Sequence, residues 1–291
     1  MIQLQWTFQR RLSAYHTGWC IACYPQLTAT LPADLLRAGS ELARVAQQVS
    51  GESAHVWDQL LTLAVPVDST ACLAERVATR VGRAGSVWQT HLASVLTDMQ
   101  QQFDRAYPDY DREMPLRTGP LRQLWDGFGA GLLRQVERLT GQPLMVEQAE
   151  VVLVQPILAG MGYAHLATNR IHLEALLTHA DPQLPEALRM AWLLSQLDLE
   201  RPIYSERIHG RRLRFVAGLA MLPPVLHAGQ ELELCHASSD LVEQAIRVWR
   251  IDVGQHPPAA AAAVVSGWWE TVLATRPSWP IALTGLDQLL A

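Results

Sequence analysis

VVLVQPILAGMGYAHLATNRIHLE, residues 151–174, decides the fold class. Val151-Val-Leu-Val154 is a short β-branched run that stops at Pro156, which reads as a strand. Gly162–Leu166 and Arg170–Glu174 are separated by Ala167-Thr-Asn169, which reads as a hairpin. With its turn centred on Thr168-Asn169, this hairpin sets Leu166 opposite Ile171 and His165 opposite His172. Without these residues the chain would read as all-helical. With them it reads as mainly α (α+β).

Working outward, residues 1–142 carry helical stripes. Pro32–Val49 places Leu35, Leu42, Val45 and Val49 at i, i+7, i+10 and i+14. Ala84–Phe103 repeats the pattern with Val87, Trp88, His91, Leu92, Val95, Met99 and Phe103. A third helix starts at about Pro120, which suits a first turn, and ends at Gly141, which suits a C-cap. Shorter helices are expected over Glu52–Ala64 and Thr70–Val81. After the hairpin, helices are expected at Leu184–Leu199, Arg211–Leu222 and Asp240–Trp249, the last with Asp240 and Glu243 as its capping box. Pro257–Ala263 reads as a helix start because Pro tolerates the first turn and Ala is the best helix former. The expected organisation is a helical domain, 1–142, followed by an α+β domain, 143–291.

Composition excludes whole mechanisms. All 23 basic side chains are Arg, with no Lys. Schiff-base, P-loop and Ser-Lys chemistry are therefore out, and so is pyridoxal phosphate. The net charge is −5, which argues against nucleic acid or an anionic membrane as partner. No apolar run approaches the ~18 residues that span a bilayer, and the N-terminal residues lack a signal-peptide core. The expected location is the cytoplasm.

Five groups of residues bear on function. His165 and His172, as cross-strand neighbours, have the reach to share a metal such as Zn, with Glu174 and His179 as the nearest further ligands. Arg207, His209, Arg211, Arg212 and Arg214, with Arg201 before them, form the only basic cluster. Arg forks suit carboxylates and phosphates, so this cluster is the expected anion- or partner-binding surface. Cys20 and Cys23 form a CxxC after Trp19, but redox chemistry needs a thiolate at a helix N-terminus following a strand, and no strand is evident upstream. Trp268, Trp269 and Trp279 read either as an exposed docking surface or as a cap on the core. Gly127-Phe-Gly-Ala-Gly131 has its third glycine misplaced for a dinucleotide fingerprint, and close helix packing explains it better.

Gly162–Leu177 followed by Leu184–Leu194 resembles the strand-then-helix layout of zincin metallopeptidases, in which an edge strand precedes a helix bearing H-E-x-x-H. The resemblance covers about 35 residues and rests on layout. It puts Met190, Ala191 and Leu194 where the two His and the Glu belong. It therefore implies a zincin-like scaffold without metal ligands or a general base, a pseudoenzyme. The expectation is a non-catalytic scaffold or regulatory protein, without a cofactor, acting through protein–protein contacts. The alternative is a metal-binding module or metal-dependent hydrolase centred on His165 and His172.

Overall fold

The computed structural model describes residues 2–49, 53–65, 67, 69–142, 146–166, 168–197 and 199–291. The elements run β1 (Gln3–Phe8), α1 (Arg10–Cys23), α2 (Ala33–Gln47), α3 (Ser53–Leu63), α4 (Thr70–Arg80), α5 (Val87–Ala106) and α6 (Tyr110–Thr140). They continue with β2 (Gln148–Val154), β3 (Gly162–His165), β4 (Arg170–Glu174), α7 (Glu186–Leu194), α8 (Pro202–Ser205) and α9 (Arg211–Ala220). The chain closes with α10 (Leu222–Glu231), α11 (Ser239–Val248), α12 (Pro258–Thr275) and α13 (Trp279–Leu289). The fold is mainly α with one small sheet.

Two compact units form. One holds residues 8–116 and 153–158, the other residues 1–7, 117–152 and 159–291. This grouping differs from a division at residue 142. The first strand and most of α6 cluster with the second half, because β1 hydrogen-bonds beside β2 and α6 lies beside β1 and packs Gly131 against Leu232, although the helix itself runs unbroken past Pro120. Pro115 and Pro120 are exposed on α6, as is Leu116, whose carbonyl Pro120 leaves without a helical partner. On this solvent-facing side the carbonyl is open to hydration, which is why the proline is tolerated within the helix.

The helical unit packs α1, α2 and α5 around Leu12, Leu35, Leu42, Leu96, Met99 and Phe103, all buried. Ser69 and Ser86 cap α4 and α5 by accepting from Cys72 N–H (3.1 Å) and Gln89 N–H (3.4 Å). Val87, expected on the inward stripe, instead stands 87% exposed at the first position of α5. Gly39 sets the approach of α2 to α1: a Cβ there would lie 2.5 Å from Ile21 Cδ1 and 3.1 Å from Ile21 Cβ. The Cδ1 methyl can swing aside, but the Cβ is fixed to the backbone. Gly39→Ala gains up to about 1 kcal/mol in helix propensity but incurs about 1–3 kcal/mol of overpacking. A net loss of about 1–2 kcal/mol is expected in urea unfolding, and a gain would disprove the close approach.

In the mixed unit the sheet order is β1-β2-β4-β3. Gln3 N–H donates to Glu147 O (2.8 Å), and Thr7 Oγ1 donates to Glu150 Oε1 (3.1 Å), so β1 and β2 run in the same direction. Helix α7 packs on β3 and β4. Trp192 on α7 donates to Gly218 O (2.7 Å) of α9, and its ring stacks on Trp249 at 5.5 Å. The Gly-rich run lies inside α6. Gly129 leaves room for the Trp125 indole and Gly131 for Leu232, whose Cδ1 would be 3.1 Å from an added Cβ. Helix α11 is capped by Ser238, which accepts from Leu241 N–H (3.1 Å), so the cap falls two residues before Asp240. Trp268, Trp269 and Trp279 are buried, and Trp268 Nε1–H donates to Ala282 O (2.8 Å). They tie α12 to α13, and the docking reading of these indoles is overturned.

Candidate functional site

The hairpin pairs Gly162 with Leu173, Tyr163 with His172, Ala164 with Ile171, and His165 with Arg170. This register is shifted by two residues from the expected one. Strand β3 ends at His165 and Thr168 N–H donates to His165 O (2.9 Å), so the ladder ends earlier. His165 and His172 are therefore diagonal rather than opposite, and still on one face. Tyr163, Arg170 and Glu174 share that face. Ala164, Ile171 and Leu173 occupy the other and are buried.

Both histidines are fully buried, and His165 Nε2 lies 3.0 Å from His172 Nδ1. At that distance one nitrogen donates its proton to the other. Tyr163 stacks on His172 (5.6 Å, 18°) and meets His165 edge-on (5.1 Å). Arg214 of α9 lays its guanidinium 4.4 Å from the Tyr163 ring centre and donates to Ala164 O (2.6 Å). Arg170 donates to Glu150 Oε2 (2.6 Å). Burial, and then the Arg214 and Arg170 cations, hold the His165 pKa well below the ordinary histidine value. His165 is thus held as a neutral imidazole, hydrogen-bonded to His172, and the two rings bring two nitrogens side by side in a buried site.

Its acid response follows. A histidine with a lowered folded pKa binds fewer protons in the fold than in the unfolded chain. Its stabilisation is complete above the unfolded value of about 6.5 and is lost as the pH falls below it. Unfolding free energy should decline by up to about 1.4 kcal/mol per pH unit on acidification below that value, and His165→Gln should flatten this decline. Equal slopes in both proteins between pH 7 and 5 would contradict a buried neutral His165.

The further ligands suggested by the sequence are committed elsewhere. Glu174 Oε2 accepts from Gly160 N–H (2.8 Å) and Met161 N–H (3.2 Å). His179 is exposed, and its Nδ1 accepts from Glu186 N–H (3.2 Å) at the start of α7. Met190, Ala191 and Leu194, the H-E-x-x-H positions of the zincin layout, are buried. Polar chemistry on α7 sits instead at Glu186 and Arg189, both buried and paired with each other. Sequence reading missed this pair, and it missed Tyr163. For Tyr163 the available signal was polar residues recurring at every second position of strands that otherwise bury apolar ones, and for Glu186 and Arg189 it was opposite charges at i, i+3 in an otherwise apolar helix.

The basic cluster splits. Arg212 pairs with the Asp287 carboxylate, donates to Asp287 O (2.7 Å) and covers the Phe215 ring at 4.9 Å, fastening α9 to α13. Arg214 is taken up by the hairpin, as above. Arg207 and His209 are exposed, whereas the Arg211 side chain lies outside the described residues. Cys20 and Cys23 fall in the last turn of α1, with Cys20 buried and Cys23 exposed. The helix dipole there disfavours a thiolate, opposite to what CxxC redox chemistry requires. A strand, β1, does precede this helix, which sequence reading had not identified. Burial pushes the Cys235 thiol up to about 11, which leaves it protonated at neutral pH. No helix among the described residues is long and apolar enough to cross a membrane.

Comparison with family models, with curated proteins and with solved structures found no match for this chain.

Proposed function

We propose that the protein is a non-catalytic scaffold or regulatory subunit that works by binding another protein. The observation that carries this reading is the segment 201–209 around α8. Arg201, Ile203, Arg207 and His209 all stand exposed there, with Ile203 at 52%. A large apolar side chain flanked by Arg201 and Arg207, with Glu206 as the one exposed acid between Ile203 and Arg207, is the composition of an interface anchor. It suits an acidic partner surface with an apolar centre, and the two inward-turned residues, Arg212 and Arg214, hold the adjoining helix in place. Arg207→Glu combined with Ile203→Asp should abolish capture of proteins that the wild-type chain retains, with the helical circular-dichroism spectrum unchanged. Identical sets of captured proteins would sink the reading.

One observation favours a second reading, a metal-binding module. His165 Nε2 and His172 Nδ1 stand 3.0 Å apart, a few tenths of an ångström short of the roughly 3.3–3.4 Å between two nitrogens on one tetrahedral Zn, so a small side-chain shift brings both onto one ion. Under this reading, purified protein holds one equivalent of Zn by elemental analysis and His172→Ala loses it. Less than stoichiometric metal, unchanged by that substitution, would remove it.

A further inference from the structure

Strand β1 is one edge of the sheet, and β3 is the other. The β3 edge is blunted, because Arg214 takes the Ala164 carbonyl (2.6 Å) and stands over Tyr163. Among the described residues the β1 edge shows no such device. Its sequence, Gln3-Leu-Gln-Trp-Thr-Phe8, holds no charge, no Pro and no Gly. Natural edge strands are normally protected by one of these, since exposed main-chain groups otherwise recruit another strand.

The main-chain geometry says which groups are on offer. Gln3 donates to Glu147 O on the β2 side (2.8 Å). Because residues alternate sides along a strand, Gln3, Gln5 and Thr7 turn their N–H and C=O toward β2, and Leu4 and Trp6 turn theirs to the open edge. Beside that edge lies a groove of about 350 Å³, with Leu4 and Trp6 on one wall and Trp125 and Leu133 of α6 on the other. Leu4 and Trp6 are only half-buried. The rim carries both signs, Arg122 and Arg134 against Asp126 and Glu137.

We propose that β1 pairs antiparallel with β1 of a second copy of this chain, continuing the sheet across a two-fold axis through Gln5. In this register Leu4 lies opposite the partner's Trp6, and both present their hydrogen-bonding groups to the edge. Directly opposite residues share a face, so the partner's Trp6 covers the apolar groove. An uncharged strand meets itself without repulsion, and a rim of mixed sign is self-complementary under a two-fold. A foreign strand of one strong charge would meet like charge from part of this rim, whereas a copy of the uncharged strand meets none. The occupant that fits is therefore a copy of the strand itself.

The test uses the full chain in sedimentation velocity. Gln5 is exposed and faces away from the groove, and the proposed two-fold passes through it, so Gln5→Lys sets two Lys side chains directly opposite each other between copies, with Cβ atoms about 4.5–5.5 Å apart. The wild-type protein should show reversible dimerisation by about 100 μM, Gln5→Lys should raise the dissociation constant at least about tenfold, and Gln5→Thr should retain the dimer. Equal circular-dichroism spectra show that each variant keeps its fold. A wild-type chain that stays monomeric to about 200 μM overturns the proposal and leaves the groove to an extended segment of another protein. A dimer indifferent to Gln5→Lys overturns it too, by placing the contact on a different face.

Discussion

Arg189→Ala is expected to cost about 3–5 kcal/mol of folding stability, the largest loss from any single charged residue in the mixed unit. Arg189 is fully buried on α7 and its guanidinium does three things. It donates to Met161 O (2.7 Å), to Glu174 O (2.8 Å), and to the Glu186 carboxylate. The residues before Met161 have costly backbone: Ala159 has φ 55° and Gly160 φ 154°. A side chain at Gly160 would also meet the Val248 carbonyl at 2.6 Å. That turn persists because Glu174 holds its N–H groups from one side and Arg189 holds its exit from the other. Removing the guanidinium strips Glu174 O of this donor and leaves the Glu186 carboxylate buried without its counter-ion. A buried charge stranded in this way is the expensive case. The double change Glu186→Leu with Arg189→Met removes both charges at similar volume and should recover most of the loss, because a paired replacement strands nothing. Urea unfolding of the three variants decides it: a single-variant loss below about 1 kcal/mol, or a double variant as damaged as the single, contradicts the clamp.

How much of this was legible in the sequence differs by level. The long helices were, since apolar residues at helical spacing need only local order. Helices α2 and α5 fall within a few residues of the stripes that announce them. Strand β1 was missed although Gln3–Phe8 alternates, because Leu, Gln and Trp are also acceptable in helices and the run is short. The hairpin was legible in place but not in register. A slip of one residue would have moved every side chain to the wrong face, and the pattern forbids it. A slip of two keeps every face the same, so the hydrophobic pattern is blind to it and the closing loop alone decides. Hence His165 and His172 met as expected on one face, yet diagonally. The fate of the Arg cluster was not legible at all. Arg212 finds Asp287 and Arg214 finds Ala164 O, partners 75 and 50 residues away, and no local spacing marks which guanidinium turns inward.

Trp249→Ala should be the second large loss, about 3–5 kcal/mol, and Trp249→Phe should cost far less than its change in volume suggests. Trp249 is 1% exposed at the C-terminal end of α11 and stacks on Trp192 of α7 at 5.5 Å with 28° between planes. Truncation to Ala therefore opens a cavity between two helices and removes the aromatic pair at once. The indole N–H is a separate matter. Trp192 donates its own to Gly218 O (2.7 Å), but Trp249 Nε1 is buried with no acceptor among the described residues. A buried donor without a partner costs about 1–3 kcal/mol in the native state. Phe keeps most of the ring and its stack while deleting that donor, so the two contributions oppose each other. The expected net cost of Trp249→Phe is about 1 kcal/mol or less, against several for Ala. If Phe proves as damaging as Ala, the indole nitrogen has an acceptor after all and the stack is not what holds α7 to α11. If Ala proves as mild as Phe, the site collapses on truncation and the two helices are held by other contacts.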